Sequence, residues 1–146
     1  MAVTRSVPNE LKFKLGKGEV DFSADVFKII LMKVGFVFDK DTHGTLADIT
    51  ANQIATGFGY TQDDKTLVAG TAWKQDDDVD MGTVSWADAT WTAAAGDIED
   101  FIGAAIIDTT HIDNLIVGYI AFGETVTVTD GNSFTIQQLG FDLMDY

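Results

Sequence analysis

Hydrophobic and polar residues alternate along most of the chain after residue 25, which is the pattern of β-strands with one buried face. Residues 27–32 read FKIILM, and this alternation predicts a strand with one face in the core and the other only half exposed. Segments rich in Thr, Val, Ile and aromatic residues predict further strands at 66–74, 83–91, 101–108, 115–122, 125–128 and 134–139. Asp, Gly and Asn residues predict hairpin links at 75–80, 108–114 and 130–132.

Seven or eight short strands at this spacing predict an all-β fold, namely a β-sandwich and more specifically a jelly roll. One short helix is expected at 46–53, because Leu46, Ile49 and Ile54 have roughly helical spacing. Thr45 and Asp48 resemble a capping box in which Asp replaces the usual Glu or Gln. We therefore expect a single β-sandwich domain over residues 26–146.

Residues 1–25 depart from this pattern and predict an extended N-terminal arm. Pro8 and two glycines interrupt any periodicity, and Leu11, Phe13 and Leu15 alternate with lysines as in a short edge strand. The arm is basic and opposes an acidic body, so we expect it to contact a neighbouring subunit or a shell; a solvated tail is the alternative. The residues expected to make this contact are Arg5, Leu11, Lys12, Phe13, Lys14, Leu15 and Lys17.

Charge is divided unevenly between the two halves of the chain. Residues 1–74 hold all nine Lys and Arg together with nine acidic residues, whereas residues 75–146 hold fourteen Asp or Glu and no Lys or Arg. The formal charge of −14 therefore belongs to the second half. Such a surface repels phosphate, so no nucleic-acid partner is expected. It indicates either a solvated exterior or a specific acidic binding face.

Length and composition fit one soluble domain. The 146 residues are 46% hydrophobic, which is enough for a core. The chain has no Cys, so disulfides, thiolate catalysis and cysteine-built zinc sites are excluded. No apolar run approaches the roughly 18 residues of a membrane span, and the N-terminus lacks the apolar stretch of a secretory signal. We expect no membrane partner and no cofactor.

One acidic stretch invites a calcium interpretation. Asp76, Asp78 and Asp80 have the spacing of the first three ligands of a calcium loop. That loop also needs Gly at its sixth position and Glu at its twelfth, where this chain has Met81 and Ala87. We therefore expect a solvated hairpin tip and no metal site.

Residues for catalysis are sparse, and no enzyme activity is expected. His43 and His111 are the only histidines, and they could form a metal pair or a catalytic base only if the fold joined them. No Ser lies in a G-x-S-x-G elbow, and no glycine-rich loop continues into Gly-Lys-Ser or Gly-Lys-Thr. The 23 acidic residues make some glycosidase-like carboxylate pair inevitable, so such a pair would carry no information.

The three tryptophans, Trp73, Trp86 and Trp91, allow two interpretations. They could form a platform on which a sugar ring stacks, or they could fill the core. On one regular strand, Trp86 and Trp91 would face opposite sides, so this segment could supply only part of a platform. A core role fits them better.

Several short blocks resemble a family of small virion proteins of tailed phages. They are FKIILM at 27–32, DTH at 41–43, DITANQIA at 48–55, GFGY at 57–60, KTL at 65–67, VSW at 84–86, WTA at 91–93, GYIAFG at 118–123 and VTDGNSFTI at 128–136. The resemblance implies a virion structural protein, and in particular a capsid decoration (cement) protein bound to the outside of the assembled head. It identifies a scaffold and no active site.

The resemblance also implies partners and a location. The partner would be the major capsid protein, the unit on the shell a homodimer or homotrimer, and the location the outer capsid surface after assembly in the host cytoplasm. Two other classes stay open. One is a tail-associated receptor- or carbohydrate-binding module, with an exposed groove of Phe58, Tyr60, Trp73, Trp86 and Trp91; the other is a hydrolase with a carboxylate pair.

Overall fold

A computed structural model describes residues 3–69, 74–78 and 81–144, and this part of the chain is mostly β-structure. The all-β prediction is therefore confirmed. The strands are β1 (Thr4–Ser6), β2 (Phe27–Lys33), β3 (Lys74–Asp76), β4 (Met81–Ser85), β5 (Ala89–Thr92), β6 (Ile98–Asp108), β7 (Leu115–Val128), β8 (Ser133–Ile136) and β9 (Gly140–Met144). The helices are α1 (Asn9–Gly16) and α2 (Leu46–Ile49), and a 3-10 turn at Thr50–Asn52 continues α2.

The strands form three antiparallel sheets around one large core. The order is β1-β7-β6-β2 in the first sheet, β3-β4-β9 in the second and β5-β8 in the third. Ile29 and Ile106 of the first sheet belong to the same buried cluster as Val84 and Phe141 of the second and Ile136 of the third. The arrangement is consistent with a β-sandwich. Sheets of four, three and two described strands do not confirm the jelly roll, which has eight strands in two sheets.

The central part of the four-stranded sheet is buried on both faces. Its second face carries Ile30 and Met32, which are 1% and 0% exposed and pack in a second cluster with Phe36 and Ile49. The sequence predicted a half-exposed second face for β2, and that detail is wrong. Segment 34–49 covers this face, and the two-sided burial explains why β2 reads as a nearly continuous apolar run.

The short helix predicted at 46–53 is present as α2 and the 3-10 turn that follows it. Its N-terminus has the capping box that the sequence indicated. The Asp48 carboxylate accepts the N–H groups of Thr45 at 2.9 Å and Gly44 at 3.0 Å. These donors hold the pKa of Asp48 below its usual value, because they stabilise the ionised form. The shorter side chain of Asp48 thus accepts the N-cap hydrogen bond that Glu usually accepts in a capping box.

The prediction of an extended arm with an edge strand at residues 11–15 is wrong, because these residues lie in helix α1. Pro8, with φ of −65°, precedes α1, and the following residues NELKFKL include no glycine and no β-branched residue. Gly18, with φ of +74°, terminates the helix, because its N–H donates to Leu15 O and the next N–H donates to Lys14 O. The alternation of Leu and Lys was therefore one turn of an amphipathic helix. Residues 3–25 are folded against the body.

Several predicted strand boundaries also change. The predicted strand 83–91 is two strands, β4 and β5, which belong to different sheets, and the two predicted strands between 115 and 128 are one strand, β7. Residues 70–73 of the predicted strand 66–74 lie outside the described residues. The turn at 130–132 exists, since Asn132 N donates to Thr129 O at 2.9 Å, but it is not a hairpin. It carries the chain to β8, which pairs with β5 instead of β7.

Candidate interaction surface

Helix α1 divides the predicted contact residues into a buried set and an exposed set. Leu11 is 1% exposed and lies in the main core, and Leu15 packs partly buried against the same cluster. Lys12, Phe13 and Lys17 are exposed, with Phe13 at 64%. The Lys17 ammonium lies 5.4 Å from the centre of the Phe13 ring. The helix and the residue after it therefore present an exposed aromatic ring and two exposed lysines, a set that we call the α1 face (Lys12, Phe13 and Lys17).

Glu19 neutralises part of the basic cluster. Its carboxylate binds the ammonium groups of Lys14 at 3.3 Å and Lys17 at 3.0 Å, and it contacts His111 Nε2 at 3.1 Å. The Lys17 and His111 hydrogen bonds lower the pKa of Glu19 to about 2, because they favour its charged form. Lys14 and Lys17 are thus both paired within the chain. No ion pair involves Lys12 in the part of the chain that the structure describes.

Arg5 lies apart from the α1 face, on strand β1. Its Nη2 donates to Gln138 O at 3.1 Å, which links β1 to the segment before β9. Strand β1 pairs with β7 through Thr4 opposite Ala121 and Ser6 opposite Tyr119. Among the described strands, nothing pairs with the other side of β1, so this edge is open to a further strand.

Two grooves flank the open edge, one on each face of the sheet. The first, of about 310 Å³, is lined by Phe36, Phe38, Ile102 and Tyr119 together with the β1 side chains Thr4 and Ser6. The second, of about 460 Å³, is lined by Val3 and Arg5 of β1 and by Phe122, Val126, Phe134 and Gln138. A strand added to an edge sends alternate side chains to opposite faces. The β1 edge therefore has the form of a strand-binding site.

Aromatic rings form one wall of the first groove. Phe38 stacks on Tyr119 with ring centres 5.1 Å apart, Phe36 meets Tyr119 edge-on at 5.3 Å, and His43 stacks on Phe36 at 5.5 Å. Burial raises the pKa of Tyr119 to about 12. The sequence analysis missed this wall, because its members come from a loop and from a strand about 80 residues later.

Most of the residues considered for a sugar platform are buried. Trp86 and Trp91 are 6% and 3% exposed and lie in the same core cluster, and Tyr60 is 1% exposed. Phe58 is 53% exposed, and Trp73 lies outside the described residues. The sequence placed Trp86 and Trp91 on opposite faces of one strand. They share a core because the chain changes sheet between them.

The structure does not bring the two histidines into one group. His43 Nδ1 accepts the N–H of Asp39 at 2.9 Å, whereas His111 contacts Glu19 and accepts the N–H of Asp113 at 3.1 Å. Within residues 3–69, 74–78 and 81–144, no group of three or more His, Asp or Glu could hold a metal ion. Asp80 of the candidate calcium loop lies outside this range. None of the described helices is long and apolar enough to cross a membrane.

One buried carboxyl group was not anticipated from the sequence. Asp108, the last residue of β6, is 0% exposed. Burial and the neighbouring Asp25 carboxyl raise the pKa of Asp108 to about 7. The only signal in the sequence was an Asp at the end of the apolar run Ala104–Ile107, which also fits an ordinary strand end.

Comparisons with protein-family models, with curated proteins and with solved structures gave no match to the chain.

Proposed function

We propose that this chain is a decoration protein of a tailed-phage head, which binds the outside of the assembled shell and stabilises it. The virion setting rests on the sequence blocks described above. The observation that supports binding to other proteins is the surface of the N-terminal segment, where Lys12 and the ring of Phe13 are exposed and the edge of β1 is open.

The α1 face offers two kinds of interaction to a protein partner. The ring of Phe13 is a large apolar group left in water, and its burial in an interface would be favourable. Lys12, which forms no ion pair within the described residues, would attract an acidic partner and accelerate its approach. A protein that binds the assembled shell better than free capsid subunits stabilises the shell by mass action. The partner is accordingly the major capsid protein.

The acidic half of the chain is compatible with a position on the outside of the shell. Residues 75–146 carry fourteen acidic and no Lys or Arg residues, and a surface of this kind repels nucleic acid and keeps copies dispersed in solution. Because shells are symmetric, copies that meet at a symmetry axis would form a dimer or a trimer. The open β1 edge, with a groove on each face, is the place where such copies could add a strand to one another.

A carbohydrate-binding module of a tail receives less support. Such a module stacks sugars on exposed aromatic rings, whereas Tyr60, Trp86 and Trp91 are buried. Phe58 is the exposed member of that set among the described residues. Weak quenching of tryptophan fluorescence by acrylamide would agree with this burial, and binding to a glycan panel would contradict the decoration proposal.

The proposal can be tested with shells of the cognate major capsid protein from which decoration protein is absent. The wild-type chain should cosediment with these shells and raise their melting temperature. Phe13→Ala should weaken binding roughly 5- to 30-fold, as expected for an aromatic residue at the centre of an interface. Lys12→Glu should mainly slow association and reduce its salt sensitivity.

Lys74→Glu is the matched control for the charge change, because Lys74 is also exposed but lies on β3. It should bind as the wild type does. If the wild-type chain fails to bind shells, the proposed function is wrong. If Phe13→Ala and Lys12→Glu bind like Lys74→Glu, the α1 face is not the contact.

A further inference from the structure

The buried carboxyl group of Asp108 has hydrogen-bond partners on only one of its two oxygens. Oδ1 accepts the N–H groups of Thr110 at 3.0 Å and His111 at 3.3 Å. Oδ2 is buried and has no hydrogen-bond donor among the described residues. An ionised carboxylate in this position would leave one charged oxygen without compensation, which is costly away from water.

The nearest group that could supply compensation is a second carboxyl. Asp25 directly precedes Val26, whose carbonyl accepts the N–H of Thr109, the residue after Asp108, and Asp25 Oδ2 accepts the N–H of Asp21 at 2.9 Å. Among the described residues, no Lys or Arg forms an ion pair with either carboxyl. Two adjacent carboxylates without a cation repel each other, so one of them favours its protonated form.

Hydrogen bonds next to the two aspartates hold their segments together. Thr109 N donates to Val26 O at 2.9 Å, and Val26 N donates to Thr110 Oγ1 at 2.8 Å. Phe27 of β2 is paired with Asp108 itself. The contact therefore joins the segment after α1, residues 17–26, to the loop between β6 and β7, residues 109–114.

We propose that Asp25 and Asp108 share one proton in the folded protein, and that this proton locks segment 17–26 onto the β6–β7 loop. A protonated Asp108 Oδ2 donates to the Asp25 carboxylate, which gives the buried oxygen its missing partner. Loss of the proton turns this hydrogen bond into a repulsion between two charges. The inference is independent of the proposed function.

The direction of the pH effect follows from the two states. In the folded protein the pKa of Asp108 is about 7, and its ordinary value is 3.8. Between these pH values the folded state therefore binds more protons than the unfolded state, so the free energy of unfolding decreases as pH rises. The stabilisation from the shared proton is present in full below about pH 4 and is lost as pH passes about 7.

Other ionisable groups lie near the pair, and their contributions to the pH dependence of stability must be distinguished from that of the pair. Segment 17–26 and α1 contribute Lys14, Lys17, Glu19 and Asp21, and the β6–β7 loop contributes His111 and Asp113. Glu19, with a pKa lowered to about 2, stays ionised throughout the relevant range. His111 contacts Glu19 from the β6–β7 loop, so it is tested by a variant of its own.

The test measures melting temperature between about pH 5 and pH 8 for the wild type and three variants. The wild type should melt roughly 5 °C or more lower at the upper pH. Asp108→Asn should lose most of this slope, because an amide accepts the same two N–H groups and donates permanently to Asp25. Asp113→Asn removes a carboxylate from the same loop, and His111→Gln removes the imidazole; both should keep the wild-type slope.

Two direct measurements complete the experiment. Carboxyl carbon NMR of the wild type should show one proton retained on the Asp25–Asp108 pair until near neutral pH, and amide signals of residues 19–26 should change as it is lost. Asp25→Asn replaces Asp108→Asn if the latter does not fold. The proposal is overturned if both carboxyl groups lose their protons below about pH 5, or if the slope persists in Asp108→Asn or in the Asp25→Asn variant that replaces it. It is also overturned if calcium or magnesium at pH 8 stabilises the wild type but not Asp108→Asn, because a cation would then neutralise the pair.

Discussion

At the scale of single residues, Tyr60 shows how a buried polar group can organise a loop. Its hydroxyl accepts the N–H of Leu31 at 3.0 Å and donates to Gln53 Oε1 at 2.7 Å. Gln53 is 2% exposed, and its Nε2 donates to Asp63 Oδ1 at 3.0 Å. One phenol thus connects β2 to the loop after α2, and it satisfies two groups that are shielded from water.

Removal of that hydroxyl should be costly, and Tyr119 provides the matched control. We expect Tyr60→Phe to lower the free energy of unfolding by about 1–3 kcal/mol, because the N–H of Leu31 loses its partner and Gln53 Oε1 keeps only the N–H of Asp63. The Tyr119 hydroxyl has no hydrogen bond within the described part of the chain, so Tyr119→Phe should change stability by less than about 0.5 kcal/mol. Urea unfolding measures both values, and equal losses would contradict the proposed role of the Tyr60 network.

At the scale of elements, α1 is both a structural and a surface element. Its buried side inserts Leu11 into the main core, and its outer side carries Phe13. Strand β1, just before it, completes the edge of the four-stranded sheet. Deletion of the first 18 residues would therefore damage the folded body, contrary to what an extended arm would allow. Point variants are the better way to separate the two roles.

We expect truncation of a side chain to reduce stability strongly on the buried side of α1 and hardly at all on its exposed side. Leu11→Ala should destabilise the protein by about 2–5 kcal/mol, because it opens a cavity in a packed core. Phe13→Ala should alter the free energy of unfolding by no more than about 0.5 kcal/mol, because the ring is 64% exposed. Chemical denaturation of both variants checks the assignment. A large loss of stability in Phe13→Ala would mean that its ring supports the fold.

The elements differ in how well the sequence predicted them. Strand β2 and helix α2 were found because their signals are local, namely an apolar run and a capping residue three positions before Asp48. Helix α1 was missed because five residues of alternating Leu and Lys fit both a strand and one helical turn. Gly18 was the better signal, since a glycine with positive φ commonly terminates a helix.

At the scale of the whole molecule, opposing groups determine how stability depends on pH. Glu19, Asp39 and Asp48 have lowered pKa values because they accept hydrogen bonds as carboxylates. Their contribution is present above the ordinary carboxyl pKa near 4 and is lost as pH falls below it. Asp108 acts in the opposite direction, since its raised pKa removes stability as pH rises towards about 7. The net charge of −14 adds self-repulsion at neutral pH.

We therefore expect the melting temperature to be highest between about pH 4.5 and pH 6 and to fall on both sides. Added salt should raise it at pH 8, because screening weakens repulsion among exposed carboxylates. Calorimetric scans across pH at low and high salt measure both effects. A melting temperature that keeps rising up to pH 8 would contradict the opposing roles assigned to these groups.

The sequence by itself determined the properties that depend on neighbours along the chain. The all-β class, strand β2, the capped helix α2 and the turn before β8 follow from local periodicity and turn chemistry. The separation of charge between the two halves is a matter of composition alone. None of these features requires knowledge of which distant segments meet.

The tertiary structure decided the properties that depend on distant partners. It placed Trp86 and Trp91 in one core, because the chain changes sheet between them, and it left the outer edge of β1 open. It also brought Asp25 beside Asp108, although 82 intervening residues separate them in the sequence. The pairing of β2 with β6 buries Asp108 and brings the Asp25 segment next to it. Local sequence patterns do not encode this proximity, which raises the pKa of Asp108.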